Sequence, residues 1–263
     1  MKKTKLITTL ALGGFLLSVG ALNAAAADNE ASTNGTVEFK TQDETSTGVV
    51  TKPDTEGEII EPETGGKTKG PLRLTHVPAF DFGQVDISSD TVFANAILEK
   101  YNNVGETAKH DISHFIQVED VRGTKSGWKV SVTSSQFLPS DTTNNKPLAN
   151  THIVLQEGQL FNSRMDAAEL ATTVEGFTKK TAIKNDGSAI DLLNTVATKN
   201  TDSSKTSLIF NDAYTSDVAN AGSIIKDGKA TNPGVQLKAV GTDEKAKDET
   251  YTATLTWSIV DAK

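Results

Sequence analysis

Few residues in this chain have the types and spacing that metal or acid–base chemistry needs. HDISH sets His110 and His114 four residues apart. On a helix they would share a face, as in the H-E-x-x-H zinc proteases, where two imidazoles hold the metal and Glu is the base. Asp111 stands where that Glu belongs, and the residues after it alternate like a strand. Four places along a strand is about 13 Å, too far for two ligands of one ion. His76 and His152 also lie in strand-like runs and read as packed or partly exposed groups. SGWK, residues 126–129, satisfies S-x-x-K, but that chemistry needs a helix starting at the serine, and S-D-N and K-T-G partners are absent. KNDGSAID, residues 184–191, lacks the carboxylate positions of a calcium loop. No G-x-S-x-G, phosphate-binding loop or dinucleotide glycine pattern occurs. Carboxylates are abundant and none is set apart by its neighbours. The expectation is a chain with no catalytic, metal or cofactor site, and the N-G-T triplet at 34–36 is incidental.

What stands out is a pair of tryptophans. Trp128 lies in GWKVSV and Trp257 in LTWSIV, each followed two residues on by an aliphatic, Val130 or Ile259. On a strand that spacing places Trp and aliphatic on one face. Two uses are open at this point. Each indole buries roughly 150–250 Å², enough to justify itself as core packing. Alternatively, the four side chains form a binding surface.

These residues must be positioned by an exported, disulfide-free fold. Lys2, Lys3 and Lys5 precede an apolar run from Leu6 to Leu22, and Ala24–Ala27 offer small residues for cleavage after Ala27. Residues 1–27 therefore read as a cleaved signal peptide, with no membrane insertion of the mature protein. No cysteine is present, which excludes disulfides, thiolate metal sites and a lipidated cysteine. The formal charge is −8, and the leader holds three lysines and no acid, so the mature chain sits near −11. Phosphate-rich partners such as nucleic acid would be repelled.

Residues 28–70 hold ten acids, four lysines and the run PDTEGEIIEPETGGKTKGP. That composition offers little apolar surface against ordering entropy and reads as a flexible acidic linker. Within it, TNGTVEFK (33–40) alternates Val37 and Phe39 with polar residues, either a short docking strand or a recognition peptide. From residue 71 to 263 a period of two dominates, in LRLTHV, HFIQVEDV, WKVSV, THIVLQEG, KTSLIF, GVQLKAV and YTATLTWSIV. HFIQVEDV and WKVSV, joined by RGTKSG, read as a hairpin. DTVFANAILEKYN (90–102) and DAAELATTVEG (166–176) are candidate short helices, capped by Asp90 and Asp166. The expected fold is an all-β sandwich of short, mostly antiparallel strands with one or two short helices in loops.

At this point the chain resembles the WxL surface-domain family of low-GC Gram-positive bacteria. VEDVRGTKSGWKVSV (118–132) matches that family's proximal motif and YTATLTWSIVDA (251–262) its distal motif. The leader, TNGTVEF, the acidic linker and LRLTHVPAFDFG (72–83) follow in the family's order. Val130 and Ile259 stand where Leu is usual, and the frequent terminal Pro is absent. The resemblance implies a secreted protein bound non-covalently to peptidoglycan at the cell wall, with Trp128, Val130, Trp257 and Ile259 at the motif positions. It also implies partnership with WxL-interacting or other surface proteins, and no enzymatic activity. A second reading makes the chain a partner-binding subunit of a surface complex whose wall attachment comes from other members. No hydrophobic tail, basic stop or sorting motif is visible at the C-terminus, so retention is expected from a surface of the folded domain itself.

Overall fold

Each alternating run named above from residue 71 onward becomes strand in a computed structural model that describes residues 34–176 and 180–262. The expected leader lies outside those residues. The first strands are β1 (Ile60–Pro62), β2 (Leu72–His76), β3 (Val92–Ile97), β4 (Glu99–Asn103), β5 (His110–Ile112) and β6 (Phe115–Asp120). Next come β7 (Gly127–Ser134), β8 (Leu138–Pro139), β9 (His152–Leu155) and β10 (Gln159–Asn162). A helix, α1 (Ala167–Thr173), leads into β11 (Val174–Gly176), β12 (Thr181–Ile183), β13 (Ile190–Thr195) and β14 (Ser204–Ile209). The chain closes with β15 (Ile224–Lys226), β16 (Lys229–Ala239), β17 (Tyr251–Thr252) and β18 (Leu255–Ala262).

Strand accounts for 42% of the described residues, and the fold is all-β. The strands form several small antiparallel sheets in a four-bladed, propeller-like ring rather than the two facing sheets of a clear sandwich. Two four-stranded sheets run β10-β14-β6-β2 and β11-β13-β7-β18. A third is built on β16, which pairs with β3, β9 and β15. Register shifts at Leu74/His76, Asp191/Leu193 and Asn232/Gln236 interrupt the ladders, so no strand set extends into one broad face. The main core lies among these sheets, with Leu74, Ile116, Val118, Trp128, Val130, Val132, Leu155, Leu193, Leu208 and Phe210 all buried.

Three local expectations change. Residues 90–102 are strands β3 and β4, not a helix. Val92, Ala94 and Ala96 alternate with Phe93 and Asn95, and β3 pairs along β16 with Ala94 opposite Leu237. Capping by Asp90 could not outweigh that tertiary ladder. The helix expected after Asp166 does form, with the Asp166 side chain accepting from the Glu169 amide at 2.8 Å. HFIQVEDV and WKVSV are not hairpin partners. β6 pairs with β14 and β2, whereas β7 pairs with β13 and β18, so RGTKSG carries the chain between sheets.

The third change concerns the expected linker. The chain divides at Phe39, and residues from Lys40 onward belong to the folded unit. Residues 41–66 form a strap laid on the polar side of β2, β6 and β14. Gln117 is 1% exposed and donates to the Thr51 carbonyl at 2.8 Å while accepting from the Thr51 amide at 3.0 Å. Lys205 Nζ donates to the Val49 carbonyl at 2.6 Å, and Tyr214 Oη to the Pro53 carbonyl at 2.8 Å. Phe115, Ile209, Tyr214 and Tyr101 form a second apolar cluster there, with Val50 of the strap packed on it. Polar hydrogen bonding thus orders a segment whose composition is too poor in apolar residues to order itself. Residues 34–39 form no strand, and Val37 and Phe39 are exposed.

Gly48 shows how closely the strap approaches. Its φ is +66°, and an added Cβ would meet Glu119 Oε2 and lie 2.6 Å from Arg73 Nε. Gly105 has φ +81° with nothing within 4 Å of its Cβ position. Both Gly→Ala variants incur the left-handed backbone cost, about 1 kcal/mol, and only Gly48→Ala adds the clash. Gly48→Ala should therefore melt measurably below Gly105→Ala in a thermal scan.

Candidate functional site

The two tryptophan motifs, 129 residues apart in the chain, are neighbours in one sheet. β7 and β18 pair antiparallel, with Trp257 opposite Val132, Ile259 opposite Val130 and Asp261 opposite Trp128. Directly opposed residues share a face, so both tryptophans point to the same side of the sheet. Their surroundings nevertheless differ. β7 is a central strand and Trp128, Val130 and Val132 are each 0% exposed. β18 ends the sheet, and Leu255, Trp257 and Ile259 are half-buried against the core.

Trp128 is locked on both its polar groups. Its indole Nε1 donates to Thr201 Oγ1 at 2.8 Å, and its amide donates to Thr195 Oγ1 at 2.9 Å. Gly127 leaves room for Thr195, since a Cβ there would collide with Thr195 Oγ1. One arginine joins the two motifs. Arg122 Nε and Nη2 donate to the two carboxylate oxygens of buried Asp120 at 2.9 and 2.8 Å, and Nη1 to Asp261 Oδ1 at 2.7 Å. Nη2 also reaches the Ser126 carbonyl at 2.8 Å. The hydrogen bonds to Asp120 hold the Arg122 guanidinium in its charged form beyond its ordinary range. Beside it, burial raises the Asp202 carboxyl above the usual carboxylate range. The V-E-D-V-R and S-I-V-D-A portions of the motifs are thus two ends of one bidentate clamp.

Trp257 faces a different neighbour, the irregular loop 78–91. Phe80 meets the Trp257 ring edge-on with centroids 6.5 Å apart, and Phe82 lies 6.5 Å beyond Phe80. Phe80, Phe82 and Val85 pack only partly against the core. Leu255 and Ile259, on the same face of β18 as Trp257, are likewise only partly buried, so this face and Phe80 make a half-open apolar ledge. Phe80 also touches Phe210 at 6.4 Å and His114 at 5.2 Å.

The histidines are dispersed. His110 is exposed on β5, stacked on Tyr101 at 5.3 Å and 3.8 Å from Glu106. His114 is 0% exposed. His76 pairs with buried Glu99 at 3.1 Å, and His152 Nδ1 lies 2.8 Å from the Asn150 carbonyl. Among the described residues no group of three His, Cys, Asp or Glu could hold a metal. Lys129, the lysine of SGWK, points outward from β7 to Asp191 at 3.3 Å. In KNDGSAID, Asp186 Oδ1 accepts from the Ser188 amide at 2.9 Å, an ordinary turn contact.

A cleft of about 910 Å³ lies between the strap, β10 and α1 and is lined by Lys52, Gln117, Gln159, Asn162 and Lys205 among others. Its polar side chains are occupied by structural bonds: Asn162 Nδ2 holds Ser204 and Thr206, and Gln159 Nε2 holds the Asn211 and Tyr214 carbonyls. Of the four motif positions, the structure brings all together and leaves only Trp257 and Ile259 within reach of solvent. Phe80, Arg122 and Asp261 lie inside stretches that carry the family resemblance and Thr201 lies outside them, but the roles of all four depend on contacts between distant segments.

No curated protein and no solved structure matches this chain. The family model described as "WxL domain surface cell wall-binding" matches residues 26–262, nearly the whole sequence. With its two motifs paired strand to strand and clamped by one arginine, the chain belongs to the WxL family.

Proposed function

We propose that this chain is a secreted protein of the Gram-positive cell surface that holds to peptidoglycan without a covalent link. In this reading Trp257, Ile259 and the facing Phe80 are the contact groups, while Trp128 and Val130 are the packed support beneath them. The observation that carries the division of labour is the contrast in burial along one sheet face: Trp128 is fully enclosed and Trp257 is half-open at the end strand. A rigid aromatic ledge suits the apolar faces of wall sugars, and it needs no catalytic group. The family's description as surface and cell wall-binding supports the same reading. Among the described residues no helix is long and apolar enough to cross a membrane.

The test is sedimentation of the purified domain with protein-stripped wall. Wild-type protein should pellet with the wall. Trp257→Ala should stay largely in the supernatant while keeping a cooperative thermal transition. Wild-type protein that remains soluble would overturn direct wall binding. That outcome would favour the second reading, a partner-binding subunit, for which the exposed, alternating Val37 and Phe39 are the supporting feature.

A further inference from the structure

We infer that His114 is a positioning residue for the Trp257 ledge, so that adding a proton to its imidazole loosens Phe80 and weakens wall binding. This rests on the reading of Trp257 as a wall contact. The argument begins with a hydrogen bond whose direction is fixed. Asn232 Oδ1 accepts from the Gly234 amide at 2.9 Å, so the Asn232 Nδ2 group is the one turned to His114. It lies 3.2 Å from His114 Nδ1, which therefore accepts, and the single ring proton sits on Nε2. That Nε2 is buried with no hydrogen-bond partner. A second proton on Nδ1 would set one donor against another. Rotating the Asn232 amide to relieve this would break its bond from Gly234. The charged ring thus loses its hydrogen bond from Asn232 where it stands.

The surroundings offer little compensation. From β4 the Glu99 carboxylate favours the charged ring, but Glu99 is already paired with His76 of β2, and His76 opposes the charge. β3 turns the Ile97 backbone carbonyl to the ring, which also favours the charged form, while β16 and the covering loop present Asn232 and Phe80. Asp81, next on the loop, turns its carboxylate to the Gly83 amide at 2.8 Å. Burial outweighs the rest and lowers the His114 pKa from 6.5 to about 4. Because the folded site binds its proton more weakly than an unfolded histidine, falling pH favours any state that lets water reach the ring.

The path from ring to ledge is short. Phe80 stands edge-on to His114 at 5.2 Å and edge-on to Trp257 at 6.5 Å. It sits on a stretch, residues 78–91, without regular structure, whose Asp81 carbonyl accepts from the Ile97 amide at 2.7 Å. Such a loop opens at less cost than the sheets around it. Hydrating His114 displaces Phe80, and Trp257 loses the ring that holds it in place.

Two indole N–H signals make this measurable by NMR in the intact domain, one from buried Trp128 and one from Trp257. Acidification from pH 7 should shift the Trp257 signal with the midpoint at which the His114 ring titrates, while the Trp128 signal stays fixed. Wall sedimentation should fall over the same interval. In His114→Phe the Trp257 shift should vanish and wall binding should become insensitive to pH across that range. Should that variant not fold, Phe80→Leu serves instead: His114 should still titrate, but the Trp257 signal should no longer follow it. A Trp257 signal that ignores the His114 midpoint, that follows it unchanged in Phe80→Leu, or that shifts only together with Trp128 as the whole domain unfolds would overturn the inference. Wild-type protein that fails to bind wall at pH 7 would overturn the functional reading instead, and the NMR titration would still decide the coupling.

Discussion

Trp128→Ala should cost about 4–5 kcal/mol and leave little cooperative fold, whereas Trp257→Ala should cost about 1–2 kcal/mol. The motifs look equivalent in sequence, so the asymmetry comes from position in the sheet. Trp128 is 0% exposed on a strand flanked on both sides by β13 and β18. Removing its indole opens a cavity bounded by a rigid sheet, which cannot collapse to fill it. The loss also strips the Nε1 donor from Thr201 Oγ1, and Thr201 is itself 0% exposed. A buried hydroxyl left without its donor adds to the cavity cost. Since single domains are stable by about 5–15 kcal/mol, this one substitution consumes a large share. Trp257, half-buried on the end strand, loses less area and leaves its space open to water. Urea unfolding of both variants measures the difference, and equal midpoint shifts would contradict the assignment of one tryptophan to support and the other to contact. Trp128→Phe sets an upper bound on the share of the donor to Thr201, since it removes that donor while keeping most of the volume.

What could be read from sequence follows from how local each feature is. The face shared by Trp128, Val130 and Val132 was readable because side-chain direction on a strand depends only on spacing, and the structure buries all three. The Asp166 cap was readable for the same reason, as it spans three residues. Pairing was not. HFIQVEDV and WKVSV are adjacent and alternate, which suffices for a hairpin on local grounds, yet β6 and β7 each find two other partners. Nothing near Gly123 or Lys125 announces that the turn leaves the sheet, because the strands that β6 and β7 pair with lie far along the chain, as does Asp261, the partner of Arg122 139 residues away. The candidate site was legible as residues and illegible as geometry. Trp128 and Trp257 could be chosen by their repeated context, but which one meets solvent depends on which strand ends the sheet. The spacing of His114 to His110 argues only against a shared metal and says nothing of its contacts, which are Asn232 and Phe80.

Arg73→Ala should release the strap and cost about 3 kcal/mol, although the segment it holds reads as a linker. The Arg73 side chain is 1% exposed, and its guanidinium makes three connections at once. Nε donates to Glu119 Oε2 at 2.7 Å, Nη1 to the Gly70 carbonyl at 2.6 Å and Nη2 to Gln42 Oε1 at 2.8 Å. Removing one partner of an enclosed ion pair leaves the other charge without compensation, typically about 3–5 kcal/mol. The Glu119 side chain keeps 14% exposure, so water offsets part of that and the low end applies. Replacing both charges, as Arg73→Met with Glu119→Leu, should recover much of the lost stability, because no orphaned charge remains. It should not recover the strap, since Gln42 and the Gly70 carbonyl still lack their donor. Hydrogen exchange distinguishes the two effects. The Lys52 and Ile60 amides, which donate to Glu58 at 2.7 Å and Val50 at 3.1 Å, report on the strap. Amides of Val130 and Val132 report on the central strand. In the double variant the first pair should exchange much faster than in wild type while the second pair stays slow. If all four amides remain equally protected, the strap is held by its apolar contacts at Val50 and not by the buried arginine.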